Sequence, residues 1–88
     1  MQITEVNVRR LFNDETPMKA VVSITFDGCF AVHDIKVIEG QKGIFVAMPN
    51  RKMGDGEFKD VAHPIQQFMR DMIRDAVLAE YKKKAKEE

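Results

Sequence analysis

The chain has little of what marks a secreted or membrane protein. Only one of its 88 residues is a cysteine, so an internal disulfide framework is excluded. No apolar run approaches the ~18–20 residues that span a bilayer, and no apolar block follows the start as it does in a signal peptide. These absences predict one small cytoplasmic domain with no membrane partner.

The sequence also lacks net charge, because fourteen Lys and Arg balance fourteen Asp and Glu. Nucleic-acid-binding domains are commonly basic overall, so a binder of this composition needs its cations clustered. One Cys and two His are too few for a structural zinc site, and no glycine-rich phosphate loop occurs. The sequence therefore predicts no metal and no cofactor.

Catalytic candidates are few, namely Cys29, His33 and His63. A nucleophile and its base must lie together, and no spacing in this sequence forces two of these residues to do so. Cys29 is better explained as a small packed residue. His33 is better explained by a bond to the neighbouring carboxylate, and His63 by fixing the entry into a helix. We therefore expect that the protein is not an enzyme.

Alternating apolar and polar residues predict strands in the first two-thirds of the chain. The segment 18–27 is the clearest, and Asp27-Gly28 after it predicts a tight hairpin turn. In the next strand the apolar residues move from even positions at Val32 to odd positions at Ile35. A bulge or kink at His33-Asp34 would keep both on one face, so we expect it there.

The predicted fold class is α+β, with an antiparallel sheet of four to five strands and one long C-terminal helix. The strands span about residues 2–12, 18–27, 29–38, 43–48 and 57–62, with a turn over 13–17 and a polar loop over 50–56. The helix begins at Pro64 and runs to about residue 82. Its predicted apolar stripe comprises Ile65, Phe68, Met69, Met72, Ile73, Ala76 and Val77. We expect one domain over 1–82 and a short charged tail over 83–88.

One helix is too narrow to cover this sheet. A helix is ~10–12 Å across, whereas four or five strands at ~4.8 Å spacing make a sheet about twice as wide. Apolar side chains of the strands would stay exposed, and a second copy of the chain would cover them. The sequence therefore predicts a symmetric homodimer, and the alternative is a monomer whose own loops cover the sheet.

Arg51 and Lys52 form the best candidate binding site. They lie in the polar loop beside Asn50, and Lys59 returns on the following strand. Cations carried by a loop on a rigid sheet suit phosphate binding, and an arginine can engage one phosphate through two donors. Acidic neighbours in the same loop favour instead a solvated tip of mixed charge. Two copies of the loop in a dimer would straddle a nucleic-acid duplex.

Two other basic segments are weaker candidates. The lysines of residues 82–86 are a second possible phosphate contact, although such runs are commonly a solvated helix end. Arg9 and Arg10 are adjacent in a strand, so we expect their side chains on opposite sides of it. At most one of the two would then support a binding surface.

Several segments resemble the stage V sporulation protein G (SpoVG) family of bacteria. They are residues 32–40, 45–52 and 55–65, and the shorter stretches 3–6 and 18–20 fit as well. The resemblance covers residues 1–81 in order. It implies a small α/β homodimer that binds DNA and also RNA, acts as a regulator, and is linked to septation and sporulation. It also implies that Arg51 and Lys52 contribute to nucleic-acid binding.

The favoured function is therefore that of a homodimeric, nucleic-acid-binding regulator that performs no chemistry. Its expected binding residues are Asn50, Arg51, Lys52 and Lys59. The alternative is a dimeric adaptor that binds protein partners during septum formation without contacting nucleic acid.

Overall fold

The computed structural model describes residues 1–12 and 15–87, and it confirms the α+β class. Four antiparallel strands form one sheet in chain order: β1 (Ile3–Leu11), β2 (Met18–Phe26), β3 (Phe30–Gly40) and β4 (Gly43–Ala47). Strands β5 (Asn50–Lys52) and β6 (Phe58–Asp60) pair separately, and helix α1 (Gln67–Glu87) follows. Residues 13 and 14 of the predicted turn and residue 88 of the predicted tail lie outside the described residues.

The core lies between α1 and one face of the sheet, which we call the inner face. From Ala20 onward the even-numbered residues of β2 point inward, and β3 adds Ile35 and Val37, so period-two alternation places the apolar half of each strand beneath the helix. The fully buried side chains are Ala20, Val22, Ile24, Ile35, Val37 and Val77. The opposite sheet surface, which we call the outer face, carries the alternate residues.

The predicted turn and the predicted bulge are both confirmed. Asp27 and Gly28 have φ angles of 51° and 64°, and the Cys29 N–H donates to the Phe26 carbonyl at 3.0 Å. Asp34 has φ 64°, and the register between β2 and β3 shifts between Val22 and Ile24. The extra residue in β3 keeps the apolar residues on both sides of it on the inner face.

A bulge at Arg9 in β1 bears on the expectation for the two arginines. Val8 pairs with Val22 and Arg10 pairs with Val21, so Arg9 is the extra residue. The Arg9 Nε–H donates to Ser23 Oγ at 3.3 Å, and Ser23 lies on the outer face. Arg10 is in register with Val21 on that same face. The prediction that the two arginines lie on opposite sides of the strand is therefore wrong, because the bulge turns both outward.

Three boundaries also differ from those predicted. Residues 50–52, predicted as loop, are a strand that pairs with β6, so the segment 57–62 is not a fifth strand of the main sheet. The helix begins at Gln67 rather than at Pro64, and the Arg70 N–H donates to the Gln66 carbonyl in its first turn. It continues to Glu87 rather than ending near residue 82.

The apolar stripe of α1 is only partly buried. Met69, Ile73 and Val77, four residues apart, pack on the inner face. Ile65 precedes the helix and is 89% exposed, and Phe68 is 57% exposed. Within residues 1–12 and 15–87, no helix combines the length and apolar composition that crossing a membrane requires.

Candidate nucleic-acid interface

The predicted site residues lie on the β5–β6 hairpin, which is held at its root by backbone bonds. The Val61 N–H donates to the Pro49 carbonyl at 2.7 Å. The side-chain amide of Asn50 donates to the Met48 carbonyl at 3.2 Å, so this half-buried residue stabilises the chain where it enters β5. Asn50 thus has a structural contact in addition to its predicted role in binding.

The tip of the hairpin is closed by a hydrogen-bonded turn. The Gly56 N–H donates to the Met53 carbonyl at 3.0 Å, and the Met53 N–H donates to the Glu57 carbonyl at 2.7 Å. Gly56 has φ 89°, a conformation that glycine adopts without steric penalty. The Asp55 carboxylate accepts the Glu57 N–H at 3.0 Å. Asp55 therefore stabilises the turn.

Strand pairing sorts the three predicted cations between the two faces of the hairpin. Arg51 lies directly opposite Lys59, so these two side chains share one face. Lys52 lies opposite Phe58, and alternation along the strand places this pair on the other face. The structure thus brings Arg51 and Lys59 together and separates Lys52 from them, a grouping that adjacency in sequence does not predict.

The hairpin cations have no carboxylate partners among the described residues. No ion pair in residues 1–12 and 15–87 involves Arg51, Lys52 or Lys59, and all three are exposed. Arg74 on α1 contrasts with them, because its guanidinium pairs with Asp75 at 3.0 Å and with Asp71 at 3.2 Å. The hydrogen bond to Asp75 is the largest cause that raises the pKa of Arg74 above its ordinary value.

The residues considered for catalysis are placed differently from expectation. Cys29 is exposed in the β2–β3 turn, so the prediction that it is packed is wrong. His33 Nδ1 lies 2.9 Å from Ser23 Oγ rather than on a carboxylate. His63 is exposed and precedes the helix by four residues. Across the described part of the chain, no group of three or more His, Cys, Asp or Glu is placed to hold a metal ion.

A row of exposed apolar residues runs from the hairpin to the start of α1. Phe58 is 68% exposed, Val61 65%, and Ile65 89%. Ile65 and Phe68 line a groove with Met1, at the end of the sheet where α1 begins. Large apolar patches on a small domain mark interaction surfaces. We call Met1, Ile65 and Phe68 the apolar groove.

Comparisons with known proteins place the chain in one family. The family model described as SpoVG matches residues 1–83. A Caldicellulosiruptor saccharolyticus protein named "Putative septation protein SpoVG" is 62% identical over 81 residues, which cover 92% of this chain and 91% of that protein. A protein of the same name from Clostridium acetobutylicum is 60% identical over 88 residues, covering 100% and 92%. Another from Caldanaerobacter subterraneus is 63% identical over 83 residues, covering 94% and 90%. The chain belongs to the SpoVG family.

Proposed function

We propose that the protein is a homodimeric regulator that binds DNA or RNA through the β5–β6 hairpin and performs no chemistry. The observation that carries the proposal is the pair of exposed cations, Arg51 and Lys59, directly opposite each other without a carboxylate partner among the described residues. Such a binder would act in the cytoplasm, where bacterial nucleic acid is. By its relatives' printed name, the regulated process is septation.

Two like charges across a hairpin destabilise it in the absence of a ligand. Favourable cross-strand pairs stabilise a sheet by roughly 0.2–1 kcal/mol, whereas like charges directly opposite each other destabilise it. A phosphate between Arg51 and Lys59 would make the pair stabilising, because both cations would then contact one anion. Arginine supplies a two-donor contact and lysine a point charge. The pair is therefore best explained by an anionic ligand such as a phosphate group.

The exposed apolar residues support the homodimer. A two-stranded hairpin is marginally stable alone, and on this one Phe58 is 68% exposed. The apolar groove adds further uncovered surface at the start of α1. A second copy packed on this end of the molecule would bury both surfaces, and a two-fold axis would present two Arg51–Lys59 pairs to one ligand. Analytical ultracentrifugation of Ile65→Lys and Phe68→Lys should then show dissociation to monomers.

Binding in a salt titration tests the proposal. In a dimer, the double variant Arg51→Ala/Lys59→Ala removes four cations, and at ~0.9 per phosphate contact the slope of log K against log salt should flatten by about 3.6. Lys52→Ala tests the other face of the hairpin and flattens the slope by about 1.8 only if Lys52 also contacts phosphate. The control Arg70→Ala/Arg74→Ala removes the same charge from exposed positions on α1 and should leave the slope unchanged.

Each outcome of this titration discriminates between functions. An unchanged slope for Arg51→Ala/Lys59→Ala would refute the site. The absence of binding to pooled DNA and RNA fragments by the unaltered protein would refute the function. A stoichiometric protein partner that survives nuclease treatment and ignores the Arg51 change would support the alternative, an adaptor in septum formation that docks through the apolar groove.

A further inference from the structure

The outer face of the sheet brings together four nitrogen-bearing side chains from two strands, β1 and β3. The β1 bulge turns both Arg9 and Arg10 toward this face. Lys36 of β3 lies in register with Val21, which is itself in register with Arg10. At ~4.8 Å between neighbouring strands, the Arg10 and Lys36 backbones are about 10 Å apart. His33 lies in the next row, beside Ser23.

A buried hydroxyl holds two of these side chains in place. Ser23 is 4% exposed, and its Oγ lies 3.3 Å from Arg9 Nε and 2.9 Å from His33 Nδ1. Arginine can only donate, so Oγ accepts from Arg9 and its own hydrogen is free for the histidine. When the neutral His33 ring accepts this hydrogen at Nδ1, its own N–H group is at Nε2. Arg9 and His33 are thereby oriented without a carboxylate.

The cations of this face have no carboxylate partner among the described residues; the Arg10 guanidinium lies over the Phe12 ring, 5.3 Å from its centroid. Among residues 1–12 and 15–87, no ion pair involves Arg9, Arg10 or Lys36. Of the acidic residues nearby, Glu5 accepts a hydrogen bond from Asn7, and Asp34 is in the β3 bulge. The face therefore carries an excess of positive charge even though the chain as a whole is neutral.

An exposed aromatic ring lies on the same face. Phe45 of β4 pairs with Ile38, two residues along β3 from Lys36, and is 48% exposed. A Cβ at Gly40 would meet Phe45 Cε1 at 3.0 Å, so the glycine makes room for the ring to lie along the sheet. Cations that follow a backbone, together with an exposed aromatic side chain, are the combination that binds single-stranded nucleic acid.

We propose that the outer face is a second binding surface, on which a single strand of nucleic acid contacts Arg9, Arg10, His33 and Lys36 through phosphates and stacks a base on Phe45. This inference rests on the proposed function and specifies the ligand. The stacked bases of a duplex cannot reach a flat sheet face, so the strand bound there is unpaired.

The outer face and the hairpin are close enough to hold one ligand. Lys36 pairs with Ala47, and the hairpin begins at Asn50, three residues after Ala47. Three extended residues span at most about 11 Å, so the hairpin root lies within roughly 16 Å of Lys36. That is a distance of a few nucleotides. A strand of 12 nucleotides is therefore long enough to contact both sites.

Fluorescence anisotropy with a labelled 12-nucleotide single strand and the matching duplex tests this inference. Arg10→Gln/Lys36→Gln should lower affinity for the single strand about tenfold at moderate salt and change duplex affinity less than threefold. Phe45→Leu should weaken single-strand binding at least fivefold through lost stacking. These variants leave the Ser23 contacts intact, and Arg70→Gln/Arg74→Gln, on α1 across the sheet from the outer face, is the charge-matched control.

The outcomes separate this inference from the proposed function. If Arg51→Ala/Lys59→Ala weakens binding while Arg10→Gln/Lys36→Gln behaves as its control, the hairpin site stands and the outer-face site is overturned. An equal loss for single strand and duplex overturns the assignment to unpaired nucleic acid. If the unaltered protein binds neither probe, the proposed function itself fails. A melting temperature within about 3 °C of the unaltered protein confirms that each variant is folded.

Discussion

Two hairpins of the chain, β2–β3 and β5–β6, differ in burial and in charge. In β2–β3, inward cross-strand pairs such as Val22 and Ile35 are fully buried beneath α1. In β5–β6, the cross-strand pair Arg51 and Lys59 is exposed and has like charge. The first hairpin therefore supplies much of the core, whereas the second carries exposed charge that the proposed function assigns to ligand binding. If that proposal holds, separate pairs of strands provide stability and recognition.

The largest expected effect is on the buried hairpin. Ile24→Ala removes a fully buried side chain and should lower the free energy of unfolding by about 2–5 kcal/mol, from lost burial and the cavity left behind. Ile44→Ala, at a residue 39% exposed, is the control and should lower it by less than about 1 kcal/mol. Urea denaturation measures both. Equal losses would contradict the placement of the core.

A smaller effect is expected at the bulge of the β2–β3 hairpin. Asp34 has φ 64°, a region that aspartate tolerates and β-branched residues do not. Asp34→Val should therefore destabilise the protein by roughly 1–2 kcal/mol, while Asp34→Gly should change stability by less than about 1 kcal/mol. Thermal unfolding of the two variants measures the difference. Equal stability of the valine and glycine variants would show that the bulge is not maintained in solution.

The smallest effect on stability is expected in the β5–β6 hairpin, where the substitution should increase stability rather than lower it. Lys59→Glu converts a like-charged pair with Arg51 into an attractive one, and should stabilise the hairpin by about 0.2–1 kcal/mol. Slower hydrogen exchange of the Met53 amide, which bonds to the Glu57 carbonyl, would report that gain. Nucleic-acid binding should be lost at the same time. Arg70→Glu, at an exposed position on α1, should leave both measurements unchanged.

Much of the β2–β3 hairpin was predictable because its signals are local. Asp27-Gly28 favours positive φ at both turn positions, and the change of apolar phase at His33-Asp34 requires an extra residue. The bulge of β1 has the same signal, since the apolar positions move from Val8 to Leu11. The same rule applied there would have placed Arg9 and Arg10 together on the outer face.

The β5–β6 hairpin was harder to predict because its pairing is not a local property. A strand as short as Asn50–Lys52 carries no period-two pattern of its own and exists through its bonds to β6. Sequence adjacency grouped Arg51 with Lys52, whereas cross-strand pairing groups Arg51 with Lys59.

The predicted apolar stripe of the helix was too long at its start. Ile65 and Phe68 belong to that stripe by their spacing, but the sheet does not cover them and both are exposed.

Backbone amide NMR during titration with an oligonucleotide most directly tests whether the hairpin is the nucleic-acid interface. If the hairpin is the interface, the largest chemical-shift changes occur at Arg51, Lys59 and their neighbours in β5 and β6, and Arg51→Ala/Lys59→Ala abolishes them. Shifts confined to Ile65, Phe68 and the first turn of α1, with the hairpin amides unmoved, would contradict it.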